Sequence, residues 1–232
     1  MLAIETATTS LSVAVLEDER VLAQSHQPAP GQHAKYLVPA IDQILQSSEL
    51  TLAALDGLAV SIGPGSFTGL RVGLATAMGF RMATGLPLAA VPSLEAMAWN
   101  LRGMKERLCP VFKARTEEVY WSVYQWTASG ELKRLAEERV GSLEMMVESL
   151  HESTIVFGEG WETNKKAFQK LLEQDKRPIQ EAPPDVHRAS AVSVGLAGHR
   201  CLLRGEVAGL GLSPRYVQRA EAELMRERRA SR

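Results

Sequence analysis

Gly63, Pro64, Gly65 and Ser66 stand between the short apolar run "DGLAVSI" and a long helical stretch that begins at Phe67. A strand, a glycine turn and a helix N-terminus in that order aim backbone N–H groups at an anion, so Gly63, Gly65 and Ser66 are phosphate-loop candidates. Glu5 and Thr6, at the end of the first apolar run, are candidates for a second phosphate turn. The signal is weak, because no Lys-Ser/Thr pair follows and the spacing departs from G-x-G-x-x-G. Arg71 is the nearby cation.

The helix after the glycines carries a competing explanation. Leu70, Leu74, Met78 and Met82 form one stripe, Gly69, Gly73 and Ala77 a second, and Ala75, Gly79 and Ala83 a third. Such a helix is small or apolar nearly all round and has to be covered on more than one side. Interior glycines cost about 1 kcal/mol each relative to alanine, which is offset if they admit a close neighbour. One side would face this chain's own sheet. The other is left either to a second polypeptide or to the rest of this chain.

Other chemistry has little support. Ser66, Thr68 and Ser93 lack a histidine in a triad context. Glu117 and Glu118 are neighbours on an expected strand and point to opposite faces. Cys109 and Cys201 lie far apart, outside any C-x-x-C, which fits a reducing compartment better than a disulfide framework. The 232 residues carry 26 basic and 27 acidic side chains, so no broad positive field for nucleic acid is available. The segment from Arg215 to Arg232 alternates arginine with glutamate and reads as a solvated helix end, with RNA contact as the alternative. The N-terminus lacks a signal-peptide pattern and no apolar run approaches the ~20 residues of a membrane span, so a cytoplasmic protein is expected.

The elements that must position these residues follow from periodicity. Strands are expected at Leu2–Glu5, Leu11–Leu16, "RVLAQSHQ", "DGLAVSIG" and "LAAV". Leu37, Ile41, Ile44 and Leu45 mark a helix from His33, with Pro39 near its start, and "SLEAMAWNLRG" marks another. After the charged turn Arg102–Leu108 the order repeats loosely. "CPVFKA", a single alternating strand "EEVYWSVYQW", and "ELKRLAEE" precede the helix "SLEMMVESLH", the strand "STIVFGEG" and the helix "ETNKKAFQKLLEQ". A proline-rich connection then leads to a last helix ended by Gly205. The expected fold is α/β with two similar lobes. The lobes are 1–104 and 105–186, followed by a C-terminal helix and closing segment at 187–214 and a charged tail at 215–232.

"LAIETATTSLSVAVL", "IGPGSFTGLRVGLATAMGF", "VPSLEAMA" and "SPRYVQR" together resemble the bacterial TsaB (YeaZ) family over nearly the whole chain. The resemblance implies the ASKHA fold, an actin-like ATPase and RNase H-like architecture of two lobes with mixed sheets flanked by helices. It implies a non-catalytic subunit that pairs with a TsaD-type transferase and works with a TsaE-type ATPase. With TsaC, the assembly threonylcarbamoylates the adenosine beside the anticodon in ANN-decoding tRNAs, so tRNA is met through the complex. It also implies a homodimer when the partner is absent and no tightly bound cofactor, with ATP or ADP confined to the complex interface. The pairing surface implied is the pair of first-lobe helices, and the expected contact residues are Leu37, Ile41, Ile44, Leu45, Leu70, Gly73, Leu74, Ala77 and Met78. A stand-alone ATPase or kinase of the same fold is the alternative.

Three departures from related sequences stand out. Lys113 replaces the usual aspartate in "KARTEEVY", and Glu5 stands where aspartate is common. The catalytic relative's H-x-x-x-H metal motif is reduced here to His33, with Leu37 at i+4. His33 is therefore expected at a helix start or on the surface, and no metal site is expected.

Overall fold

A computed structural model describes residues 1–114, 117–174 and 178–217, so most of the arginine-rich tail, and Arg115 and Thr116 of "KARTEEVY", lie outside the described residues. The first lobe runs β1 (Leu2–Glu5), β2 (Ser10–Glu17), β3 (Arg20–Pro28), α1 (His33–Ser47), β4 (Leu58–Ser61), α2 (Phe67–Thr84), β5 (Leu88–Val91) and α3 (Ser93–Ala98). Its five strands are ordered β3-β2-β1-β4-β5, with β1–β2 and β2–β3 antiparallel and β1–β4 and β4–β5 parallel.

The second lobe holds β6 (Arg107–Lys113), β7 (Glu118–Trp121), β8 (Tyr124–Trp126), β9 (Leu132–Arg134), β10 (Arg139–Ser142), α4 (Leu143–Glu148), β11 (Thr154–Phe157), α5 (Glu159–Gln174) and β12 (Ile179–Glu181). Its main path, β10-β7-β6-β11-β12, repeats the order and the directions of the first sheet. β8 and β9 are an appended hairpin beside β6.

One expectation is corrected here, and two strands are new. "EEVYWSVYQW" is two strands, because the chain breaks at Ser122–Val123: the Ser122 hydroxyl donates to Ala136 O at 2.8 Å, and Val123 O accepts from Leu135 N at 2.7 Å. β10 and β12 were not legible, being short edge strands that bury little. Within the segment 187–214, α6 (Ala191–Leu203) packs on the first sheet.

The two faces of that sheet differ by side-chain size, which strand alternation sets. Ala3, Ala14, Ala59 and Ala89 lie on one face, and Leu2, Ile4, Val13, Val15, Leu58, Val60 and Leu88 on the other. The alanine face takes α6, whose Gly198 comes so near that a Cβ there would stand 2.5 Å from Ala59 Cβ. The bulky face takes α1 and α2. α3 also touches the second lobe at β6, and α6 shares one cluster with Leu108, Phe112, Tyr124, Trp126, Ile155 and Phe157, so one core joins the lobes. α4 and α5 cover that second sheet's outer face.

Candidate functional site

The glycine turn meets the turn between β1 and β2. Ser66 caps α2 by accepting from Gly69 N at 3.2 Å, and Ser66 N donates to Ala7 O at 2.6 Å. Gly63 N donates to the Ser93 hydroxyl at 3.0 Å. A Cβ at Gly65 would stand 2.3 Å from Ala7 O, and one at Gly69 would stand 2.1 Å from Thr6 O. Only glycine admits this approach, and the N–H groups of Gly63, Ser66 and Gly69 are spent on internal acceptors. In this structure the loop expected to hold phosphate through Gly63, Gly65 and Ser66 docks a helix onto a turn.

Glu5 and Thr6 lie beneath it and do not form an open phosphate turn. The Glu5 carboxylate is buried and accepts from Ala7 N. Burial pushes its pKa up to about 7, against the opposing pull of the Ala7 N–H and the adjacent Ser61 hydroxyl. Thr6 is fully buried, and a Cβ at Gly73 would meet its hydroxyl oxygen at 2.2 Å.

The residues expected to make the pairing surface divide unevenly. Leu37, Ile41, Ile44, Leu45, Leu70, Gly73, Leu74 and Ala77 are buried inside this chain, and only Met78 is partly exposed. The apolar stripe of an amphipathic helix is the one its own sheet claims first, so these positions build the fold. These expected contact residues thus fall on core positions of the isolated chain.

What faces outward on α2 is the third stripe and its neighbours: Phe67, Arg71, Ala75, Gly79, Met82 and Ala83 are exposed. Met82 is 79% exposed, and a Cβ at Gly79 would touch nothing within 4 Å. On α1, which packs beside α2, Val38 is 52% exposed. The small residues of that stripe were visible in the sequence, but nothing there said which stripe the sheet would take.

A further neighbour was not foreseen. After α6 the chain returns across the first lobe, with Ala208 N donating to Leu88 O at 2.8 Å and Arg215 N to Ile62 O at 2.6 Å. Arg81 Nη1 donates to Ala208 O. Tyr216 stacks on Phe67 at 5.4 Å between ring centroids and accepts from Arg71 Nε at 2.9 Å, while the Arg71 guanidinium lies 3.7 Å above the Phe67 ring. This segment covers the edge of β5, which would otherwise present unpaired backbone groups.

Elsewhere, His33 begins α1 as expected but is buried, its Nε2 3.2 Å from Ser10 O. Lys113 is exposed at the end of β6. Glu159 accepts from the Thr9 hydroxyl at 2.7 Å, a bond between the lobes. Among the described residues no group of three or more His, Cys, Asp or Glu side chains could hold a metal ion, and no helix is long and apolar enough to cross a membrane.

With this geometry in place, comparisons with known proteins decide the family. The profile "TsaD: tRNA N6-adenosine threonylcarbamoyltransferase" matches residues 23–223. A Haemophilus influenzae protein named "tRNA threonylcarbamoyladenosine biosynthesis protein TsaB" is 32% identical over 94% of this chain and 93% of its own length. The chain belongs to the TsaB (YeaZ) family. A solved Pseudomonas aeruginosa protein, described as similar to peptidase YEAZ, superposes with a TM-score of 0.76 at 28% identity, covering 94% of this chain and 98% of that one. The ethanolamine utilization protein EutJ from Carboxydothermus hydrogenoformans, 10% identical with a TM-score of 0.56 over 85% of this chain and 89% of its own, shares the fold alone. The paired lobes of this TsaB-family chain are thus an ASKHA-type fold.

Proposed function

We propose that this chain is the non-catalytic partner subunit of a tRNA threonylcarbamoyladenosine-forming complex, and that it pairs with a TsaD-type transferase through the outward face of α2 with α1 beside it. The observation that carries this reading is the face itself: an exposed stripe of Phe67, Ala75, Gly79, Met82 and Ala83 beside the exposed Val38. Its small residues let a second helix approach closely, and its larger ones supply the apolar area that association needs.

The supporting chemistry is negative in the same region. A glycine turn whose N–H groups of Gly63, Ser66 and Gly69 are already occupied contributes a rigid surface to a neighbour, not a nucleotide grip. In this reading the transferase supplies the reaction, a TsaE-type ATPase works on the pair, TsaC supplies the activated threonylcarbamoyl group, and tRNA is met through the complex in the cytoplasm. The same face joins two copies of this chain when the transferase is absent. ATP or ADP belongs to the assembled complex.

Gly79→Arg tests the proposal. The new side chain enters open space in the monomer, so circular dichroism stays as in the parent while co-elution with the transferase is lost. Unchanged co-elution, or ATP turnover by the isolated chain that falls on changing Glu5 or Thr6, would overturn the reading in favour of a stand-alone ATPase.

A further inference from the structure

Tyr216 and Arg215 are consecutive residues that hold different parts of the molecule. Tyr216 lies on the outward face of α2, stacked on Phe67 and bonded to Arg71. Arg215 reaches into the second lobe, where its Nε stands 3.0 Å from Glu138 Oε2. The Glu138 side chain is 2% exposed, and among the described residues neither carboxylate oxygen completes a hydrogen bond, so Arg215 is a cation seated against a buried charge. Burial raises the Glu138 pKa, and Arg215 is the leading influence opposing that rise.

Between these contacts the backbone has little freedom. Arg215 N is bonded to Ile62 O, and Arg215 O lies where a Cβ on Gly63 would be 2.5 Å away. Upstream, Ala208 is held by Leu88 and Arg81, and Ala208 and Leu212 pack on the cluster at the bulky face of the first sheet.

We infer that residues 206–217 form a latch that couples the outward face of α2 to the junction between the lobes around Glu138. A polypeptide seated beside Phe67 and Arg71 is thereby sensed at Glu138, and the coupling is reciprocal. That sensing rests on the pairing reading above; the latch itself does not.

Hydrogen exchange of the isolated full chain tests the latch from both ends. Tyr216→Ser removes the ring and hydroxyl at the α2 end. It should speed exchange about tenfold or more in 206–215 and also in 135–140 of the second lobe, which Tyr216 does not touch. Glu138→Gln should speed exchange in 206–217, and Arg215→Lys, which keeps the charge, should stay closer to the parent than Arg215→Gln. Effects confined to the altered end in the first two variants would overturn the latch.

Adding a TsaD-type transferase tests the sensing. Altered exchange at 135–140 in the parent, with a smaller alteration in Tyr216→Ser, is expected. A complex that forms while 135–140 stays unchanged would overturn the sensing. Absence of any complex would overturn the pairing reading and the sensing with it, leaving the latch to be judged on the isolated chain.

Discussion

The inner and outer faces of α2 are built from the same kind of residue and do opposite things. On the inner face, Gly69 and Gly73 sit against Thr6, where any Cβ would collide. On the outer face, Gly79 has nothing within 4 Å. The inner glycines set how deeply the helix seats on the β1–β2 turn, and that depth determines what the outer face presents. A small residue on a helix is thus a request for close approach that does not name the neighbour. Only the fold shows which glycines have already found theirs.

The sharpest way to break this comparison is to make one substitution on both faces. Gly69→Ala puts a methyl group on the Thr6 carbonyl, which as backbone cannot turn aside. It should destabilise the chain by about 3 kcal/mol in chemical denaturation. A loss below about 1 kcal/mol would mean that the turn yields and the inner face is not fixed by contact. Gly79→Ala adds the same methyl to open space and gains helix propensity, so stability should rise by about 0.8 kcal/mol. A decrease would show that the outer glycine is held by something within the monomer.

A pH-dependent effect lies beneath the inner face. The folded pKa of Glu5 is raised to about 7 from an ordinary 4.5, so the folded state holds a proton that the unfolded chain gives up. The associated stability is full below pH 4.5 and is lost as pH rises to about 7. Glu5→Gln, which is neutral throughout, should therefore raise the melting temperature by roughly 7 °C or more at pH 8 relative to the parent, with no gain at pH 4. An equal shift at both pH values would place the charge of Glu5 outside the energetics of the turn.

Much of the fold was legible because it is written in local periodicity. The stripe Leu37, Ile41, Ile44 and Leu45 gives α1, the run from Ser66 to Gly85 gives α2 with its serine cap and left-handed glycine end, and the repeated element order gives two lobes. The strands β10 and β12 were not, since short edge segments such as "RVGS" and "IQE" bury too little to show a period.

The candidate surface was legible at the level of the element and not of the residue. An all-round apolar helix announces two neighbours, but Leu70 and Leu74 of the first stripe and Ala77 of the second went to this chain's own core. The latch gave no signal, because Arg215 and Glu138 are 77 positions apart and neither belongs to a motif that names the other.

The sequence by itself determined the family, the two-lobe order and the presence of a helix with more apolar surface than one sheet can cover, because these depend on residue types at short, regular spacings. The tertiary structure alone decided which face of that helix is left exposed, that the glycine turn is filled by Ala7, and that Tyr216 and Arg215 tie that face to Glu138. Those are outcomes of competition for contact among segments distant in the chain, and the winner is set by which groups bury and pair best in three dimensions.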